Sequence, residues 1–235
     1  MTFHIPLRVL ALDTCTESCS AALTIDGKVY ARTVDAPREH SQRILPMVDE
    51  LLKEAQVKLA DIDVIAYGRG PGSFTGIRIC TSMTQGLALG TDLPVIGIST
   101  LAAMAQMAIT THHAEQVFCT IDARMNEVYV GQFVAKEGIA TLVGIEHVCS
   151  PQEVELHLDG SKAIIACGTG FEVYPALLEL ADNIQLQDKL KYPDAKAMLT
   201  LAEYGVSQHQ HTSVDELAPV YIRDKVTWKK LPGRE

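Results

Sequence analysis

Ile62-Asp63-Val64-Ile65-Ala66-Tyr67-Gly68-Arg69-Gly70-Pro71-Gly72-Ser73-Phe74-Thr75-Gly76-Ile77-Arg78 is the stretch on which the reading of this chain turns. The apolar run over 62–67 reads as a buried strand, and four glycines and a proline then turn the chain into a helix starting near Thr75. Glycine permits positive φ and lets a second backbone come close, while the unpaired N–H groups of a helix N-terminus attract an anion. The spacing matches neither the dinucleotide G-x-G-x-x-G nor a P-loop ending in Gly-Lys-Ser/Thr. Taken alone, the turn is either an anion site, using Gly70, Gly72, Ser73, Thr75 and Gly76, or a tight structural corner.

Upstream, residues 7–12, 19–25 and 29–34 read as three strands, with Asp26-Gly27 as a hairpin turn. From His40 the period changes: Ile44, Leu45, Val48, Leu51, Leu52 and Ala55 recur at helical spacing. Downstream, 75–89 reads as a helix, 95–98 as a strand and 101–109 as a helix, so strands and helices alternate and parallel pairing is expected. The second half repeats the first. Strands at 117–121, 128–134 and 139–145, with Glu137-Gly138 at a turn, precede a helix predicted over Pro151–Leu158 and a strand at 163–166 that ends in Cys167-Gly168-Thr169-Gly170. Asp122 is the counterpart of Asp13, and a last helix is predicted over 194–205. The order predicts an α/β fold of two duplicated halves, residues 1–112 and 113–235, each a mixed sheet flanked by helices, with 110–115 as the linker.

With 235 residues, 47% of them hydrophobic and 21% charged, the chain can bury a substantial core. No apolar run approaches the roughly 20 residues that span a bilayer, and no signal peptide is apparent. The six cysteines lie mostly in apolar segments without metal-type pairs, which fits reduced thiols in a cytoplasm. A net charge of −9 argues against gripping nucleic-acid phosphates unaided, so any RNA role calls for a partner. The ending, with Arg223, Lys225, Trp228, Lys229, Lys230 and Arg234, is locally basic; it is either a solvated terminus or an RNA contact.

Asp13-Thr14-Cys15-Thr16-Glu17-Ser18 follows the first strand, where acidic and hydroxyl groups can orient a metal-bound phosphate. This duplicated unit, with an aspartate after each first strand, resembles the ribonuclease H-like halves of the actin, Hsp70 and sugar-kinase superfamily. There a glycine typically sits two residues after the first aspartate, whereas this chain has Cys15, and Arg124 after Asp122. A side chain at that point obstructs close phosphate approach.

The nearer resemblance is to the bacterial TsaB family, also called YeaZ. It rests on the 12–17 and 68–78 motifs, Pro37-Arg38-Glu39-His40-Ser41-Gln42-Arg43-Ile44-Leu45-Pro46, Gln85-Gly86-Leu87-Ala88-Leu89-Gly90, Ile121-Asp122-Ala123-Arg124, and Trp228-Lys229-Lys230-Leu231-Pro232-Gly233. The resemblance implies a scaffold subunit without catalytic residues. It would heterodimerise with the paralogue TsaD and be needed for threonylcarbamoyl transfer to the adenosine beside the anticodon, in tRNAs that read codons beginning with A. It further implies the ATPase TsaE as a partner, a functional link to TsaC, tRNA contact only through the complex, and a homodimer in isolation. No membrane partner and no cofactor are expected for this chain alone, with ATP or ADP entering only in the partner complex. TsaD-like proteins carry a metal-binding His-x-x-x-His where this chain has Ser99-Thr100-Leu101-Ala102-Ala103-Met104-Ala105-Gln106, so no metal site is expected. Asp13 and Thr14, with the glycine turn, then read as a vestigial phosphate loop. The competing reading is an ATP-dependent phosphotransferase or metal-dependent peptidase of the same superfamily.

Two helices are the expected partner surface: Ile44, Met47, Val48 and Leu51 on the first, and Thr81, Ser82, Gln85 and Gly86 on the second, where small residues admit a neighbouring helix. For the apolar stripe, packing on its own sheet is an equal alternative. His40 is expected to cap or flank the first helix, and His112, His113, His209 and His211 to be solvated. Cys15 and Cys19 are expected to be structural, because no base for a nucleophilic thiol is evident.

Overall fold

The computed structural model describes residues 6–223, so Lys225, Trp228, Lys229, Lys230 and Arg234 of the basic ending lie outside the described residues. Alternating apolar runs produce two five-stranded sheets. In the first, β1 (Val9–Asp13), β2 (Ser18–Ile25) and β3 (Lys28–Asp35) form an antiparallel meander, and β4 (Val64–Gly70) and β5 (Val95–Ser99) add in parallel on the other side of β1. The second contains β6 (Gln116–Arg124), β7 (Glu127–Lys136), β8 (Ile139–Cys149), β9 (Ile164–Cys167) and the short β10 (Ile184–Leu186). Their orders, β3-β2-β1-β4-β5 and β10-β9-β6-β7-β8, are the same arrangement twice, as expected for duplicated ribonuclease H-like halves. Asp26 and Gly27, at φ 49° and 80°, close the β2–β3 hairpin as their sequence requires, and Glu137-Gly138 does the same between β7 and β8.

Helices α1 (His40–Ala55) and α2 (Phe74–Leu89) cover the outer face of the first sheet. On α1, Ile44, Met47, Val48 and Leu51 recur at i, i+3, i+4 and i+7 and are buried in one cluster with Leu10, Leu12 and Leu23. The expectation that these four meet a partner is therefore corrected: burying each against its own sheet stabilises the fold by about 1.5–3 kcal/mol, and none is left for an external surface. His40 is the first helical residue, buried, and makes no cap hydrogen bond.

Two helices lie between the sheets. Helix α3 (Thr100–His112), whose N-terminus Ser99 caps by accepting from the Ala102 N–H, sets Leu101, Met104 and Ala108 against Val117, Cys119 and Phe133 of the second sheet. Helix α5 (Ala195–Ser207), capped by Asp194, returns to the first sheet and packs Met198, Leu199 and Ala202 against Val9, Ala11, Val64 and Ile96. A division at 112/113 separates the sheets but not the packing, because each half is finished by a helix reaching into the other's interior.

The second half departs from the first beyond β8. The helix predicted over Pro151–Leu158 reduces to a 3₁₀ turn at Pro151–Glu153, braced by Ser150 and Glu153. Val154, Leu156 and Leu158 then alternate inward with exposed Glu155 and His157. That period of two selects extended chain, and Val154 and Leu158 join Phe118, Val128 and Phe171 in a separate core. Only the four-residue α4 (Gly170–Val173) follows the second glycine turn.

Candidate functional site

The glycine-rich corner is pressed onto the loop that follows β1. A Cβ on Gly68 would lie 1.9 Å from Asp13 Oδ2, one on Gly72 2.1 Å from the Cys15 carbonyl oxygen, and one on Gly76 2.1 Å from the Thr14 carbonyl oxygen. Gly70 adopts φ 99°, a region side chains avoid. Several polar groups of the corner are engaged internally. The Ser73 N–H donates to the Cys15 carbonyl at 2.7 Å, the Thr14 hydroxyl donates to the Gly76 carbonyl at 2.7 Å, and Ser73 Oγ accepts from the Gly76 N–H at 3.4 Å. Thr75 stays exposed. The close backbone approach that the glycines permit is thus made by residues 14 and 15 of the chain itself.

Asp13 is fully buried behind this corner. Its Oδ1 accepts the Cys15 N–H at 3.0 Å, its Oδ2 has no partner, and burial pushes its carboxyl up to about 7. Cys15 is no nucleophile: its hydrogen bond with the Cys80 thiol and its burial push it well above the ordinary thiol range, and its Sγ donates to the Gly68 carbonyl at 3.2 Å. The second half repeats the corner. Gly168 (φ 108°) and Gly170 sit over Thr120, and Thr169 Oγ1 accepts the Asp122 N–H at 3.1 Å. Asp122 is paired with Arg124 at 2.9 Å.

The outer surface of α2 is a second candidate site. Ile77, Cys80, Thr84 and Ala88 face inward, which leaves Phe74, Arg78, Ser82, Gln85, Gly86 and Leu89 along one exposed stripe. Phe74 is 57% and Leu89 60% exposed, and Leu45 and Pro46 of α1 are exposed as well. Nothing lies within 4 Å of where a Cβ on Gly86 would stand. Of the predicted contact residues, Ser82, Gln85 and Gly86 are on this surface, while Thr81 is half-buried with its hydroxyl donating to the Ile77 carbonyl at 2.8 Å. Phe74, Leu89, Leu45 and Pro46 were missed. For the two on α2 the signal was present, since 74, 78, 82, 85/86 and 89 follow the helical repeat opposite the buried positions.

A cleft of about 1040 Å³ opens between the halves, lined by the 15–17 loop, the glycine corner, the β6–β7 turn, α4 and the segment 220–223. That segment ends a strap which starts where Thr212 bridges Val95. Along it, the Tyr67 hydroxyl donates to the Ala218 carbonyl at 3.1 Å and the Val220 N–H to the Arg69 carbonyl at 2.9 Å. Tyr221 packs on Phe74 with ring centroids 5.6 Å apart, and its hydroxyl takes a 3.1 Å hydrogen bond from Arg78 Nε, whose guanidinium lies 3.7 Å from the Phe74 ring centroid. Arg223 then crosses to the second half, pairing with Glu127 and donating to the Arg124 carbonyl. Arg124, Met125 and Asn126 all adopt positive φ at the opposite lip. Among the described residues, no group of three or more His, Cys, Asp and Glu side chains is arranged to hold a metal ion, and no helix is long and apolar enough to cross a membrane.

Residues 34–231 match the model of the family described as TsaD, tRNA N6-adenosine threonylcarbamoyltransferase. The chain is 45% identical to the tRNA threonylcarbamoyladenosine biosynthesis protein TsaB of Haemophilus influenzae, over 97% of this chain and 99% of that one. It is 44% identical to the protein of the same name from Escherichia coli, over 97% and 100%. The solved structure of YeaZ from Pseudomonas aeruginosa superposes with a TM-score of 0.86 at 38% identity, covering 92% of this chain and all of that one. With a shared fold and near full-length similarity, this chain belongs to the TsaB family, within the wider family that the TsaD model describes.

Proposed function

We propose that this chain serves threonylcarbamoyladenosine formation in tRNA as a non-catalytic subunit that heterodimerises with TsaD, and that the exposed stripe of α2, flanked by Leu45 and Pro46, is the docking face. The relatives' shared name supports the pathway. The observation that carries the docking face is Gly86. A glycine inside a helix costs about 1 kcal/mol relative to alanine, and no neighbour within this chain calls for one there. Close approach of a partner helix accounts for it. Phe74 and Leu89 anchor the two ends of the stripe, with Ser82 and Gln85 supplying hydrogen bonds between. As a scaffold, the chain would act by binding the competent state of TsaD more tightly than its alternative, with TsaE and tRNA meeting the assembled pair and TsaC supplying the activated group.

Against the competing phosphotransferase or peptidase reading stands the corner itself, where backbone of residues 14 and 15 occupies the approach a phosphate would need. Gly86→Phe tests the proposal, because its side chain enters open space and leaves the fold intact. The variant is expected to lose co-purification with TsaD and to lose stimulation of tRNA modification by purified TsaD, TsaC and TsaE. A folded variant that binds and stimulates like the parent would overturn the docking face. Equal modification with and without the parent chain would overturn the subunit role.

A further inference from the structure

Two of the buried cysteines face each other across β6 and β9. Cys119 and Cys167 are register partners, the last pair of that parallel ladder, so their side chains leave the sheet on one face, with the sulfurs 3.3 Å apart. Both are fully buried, in the cluster that Leu101, Met104 and Ala108 of α3 complete. Cys15 and Cys80 each donate to a backbone carbonyl, of Gly68 at 3.2 Å and of Leu12 at 3.3 Å. For Cys119 and Cys167 the hydrogen bond is between the thiols themselves. Neighbouring strands lie about 4.8 Å apart, inside the roughly 4.4–6.8 Å between Cα atoms that a disulfide spans. Joining the sulfurs therefore calls for side-chain rotation and little backbone movement. The same cluster includes Leu190, in the turn that follows the three-residue β10. Two hydrogen bonds tie that turn to the end of β9: the Gln187 N–H donates to the Ala166 carbonyl and the Gly168 N–H to the Leu190 carbonyl, both at 2.8 Å. A cover so lightly tied opens locally more readily than the sheet beneath it.

We propose that Cys119 and Cys167 are a modification site, a dithiol that hydrogen peroxide closes into a reversible disulfide between β6 and β9. One sulfur attacks a peroxide oxygen: an S–O bond forms, the O–O bond breaks and water leaves, giving a sulfenic acid. The second sulfur then attacks the first, so that an S–S bond forms, the S–O bond breaks and a second water leaves. The thiols lose two electrons and two protons, and the peroxide is reduced to two waters. Two equivalents of a small thiol reverse the change and are themselves joined as a disulfide. Burial, followed by the hydrogen bond with Cys167, holds the Cys119 thiol well above the ordinary range, so thiolate is scarce and the first step is slow. The second is fast, because the partner sulfur already stands in contact. Cys119 adjoins Thr120 and Cys167 adjoins Gly168, which is where the second corner sits on β6. The bond closes a 48-residue loop around β7, β8 and the turn at Pro151–Glu153, and holds that corner on its strand. Neither sulfur lies on the α2 face, so the site stands apart from the docking proposed above.

The test uses the full chain without a partner. Native protein is treated with hydrogen peroxide, unfolded, alkylated and digested with trypsin in the absence of reductant. The parent is expected to yield peptides 79–124 and 163–189 joined through Cys119 and Cys167, two hydrogens lighter than the peptides apart, and to release them on treatment with dithiothreitol. Its urea midpoint is expected to rise on oxidation and to return on reduction. In Cys119→Ala and in Cys167→Ala, the link and the midpoint shift are both expected to vanish. Leu190→Ala is expected to speed closure several-fold while Cys15 and Cys80 stay closed to alkylation in the folded chain. Met125, 58% exposed, gauges the treatment. Recovery of Cys119 and Cys167 as free thiols after Met125 has been oxidised would overturn the proposal. So would sulfinic acid at either cysteine without the link, or a link that joins Cys167 to Cys80. An unchanged rate in Leu190→Ala would overturn the 187–190 turn as the way in.

Discussion

The two halves of this chain share a sheet order and a glycine corner, yet only the first is roofed by long helices. Helices α1 and α2 span sixteen residues each, whereas the corresponding region of the second half has 3₁₀ turns and the four-residue α4. The difference shows which parts of a duplicated unit are fixed by its interior and which are free to diverge. Sheet order and the close seat of the corner on the first strand's end are set by buried contacts, and both halves keep them. Roofing helices need only supply apolar cover, which Val154, Leu158, Phe171 and Leu177 provide without regular helix in the second half. The extra helical surface of the first half exceeds what its own core requires, which fits a face used for assembly.

The comparison is sharpened most by the paired aspartates. Asp13 is buried without a cation, Asp122 is paired with Arg124. Because burial holds Asp13 at about 7 in the folded chain against 3.8 ordinarily, the native state binds more protons than the unfolded state between these values. Asp13 therefore contributes a fall in stability of about 4 kcal/mol as pH rises from about 4 to 7. Asp13→Asn is expected to flatten this slope in urea unfolding measured across that range, and Asp122→Asn to leave it in place. An equal slope in the parent and in Asp13→Asn would break the distinction.

A smaller effect is expected at the corners. Gly76→Ala drives a Cβ into the Thr14 backbone and should cost about 3 kcal/mol by overpacking. Gly170→Ala should cost somewhat less, because its nearest contacts, Thr120 Oγ1 at 2.4 Å and the Thr120 Cβ at 2.8 Å, are less severe than the 2.1 Å approach to the Thr14 carbonyl oxygen at Gly76. Equilibrium denaturation of the two variants reads the difference directly, and equal losses would mean that the corners are seated alike. The smallest effect has the opposite sign: Gly86→Ala should stabilise the isolated chain by about 0.5–1 kcal/mol, since it relieves a helix-interior glycine without touching a neighbour. A loss of thermal stability there would show that Gly86 has an internal role.

Most of the fold was legible because strand alternation, the Asp-Gly turn and the helical repeat of 44–55 each reflect one local physical requirement. The helix predicted over Pro151–Leu158 failed because its start signal was genuine but the residues after it alternate at a period of two. β10, at three residues, carries too little pattern to be read. The candidate site was less legible. Spacing alone could not tell whether Ile44, Met47, Val48 and Leu51 face a sheet or a partner, since both burials demand the same apolar stripe. Nor could it show that the glycines of 68–76 admit residues 13–15, because close approach by any group selects the absence of a side chain. The exchange of α3 and α5 between the halves depends on long-range packing that no local repeat encodes.

That exchange sets a schedule for synthesis. The first sheet has all its strands once β5 is made at Ser99, but its inner face waits for α5 beginning at Ala195. At ribosomal speeds the intervening 95 residues take roughly 5–20 s. Throughout that interval Val9, Ala11, Val64 and Ile96 lack their native cover. The half translated first is thus among the last to be completed, and its inner face stays without native cover for longer than that half's size alone would suggest.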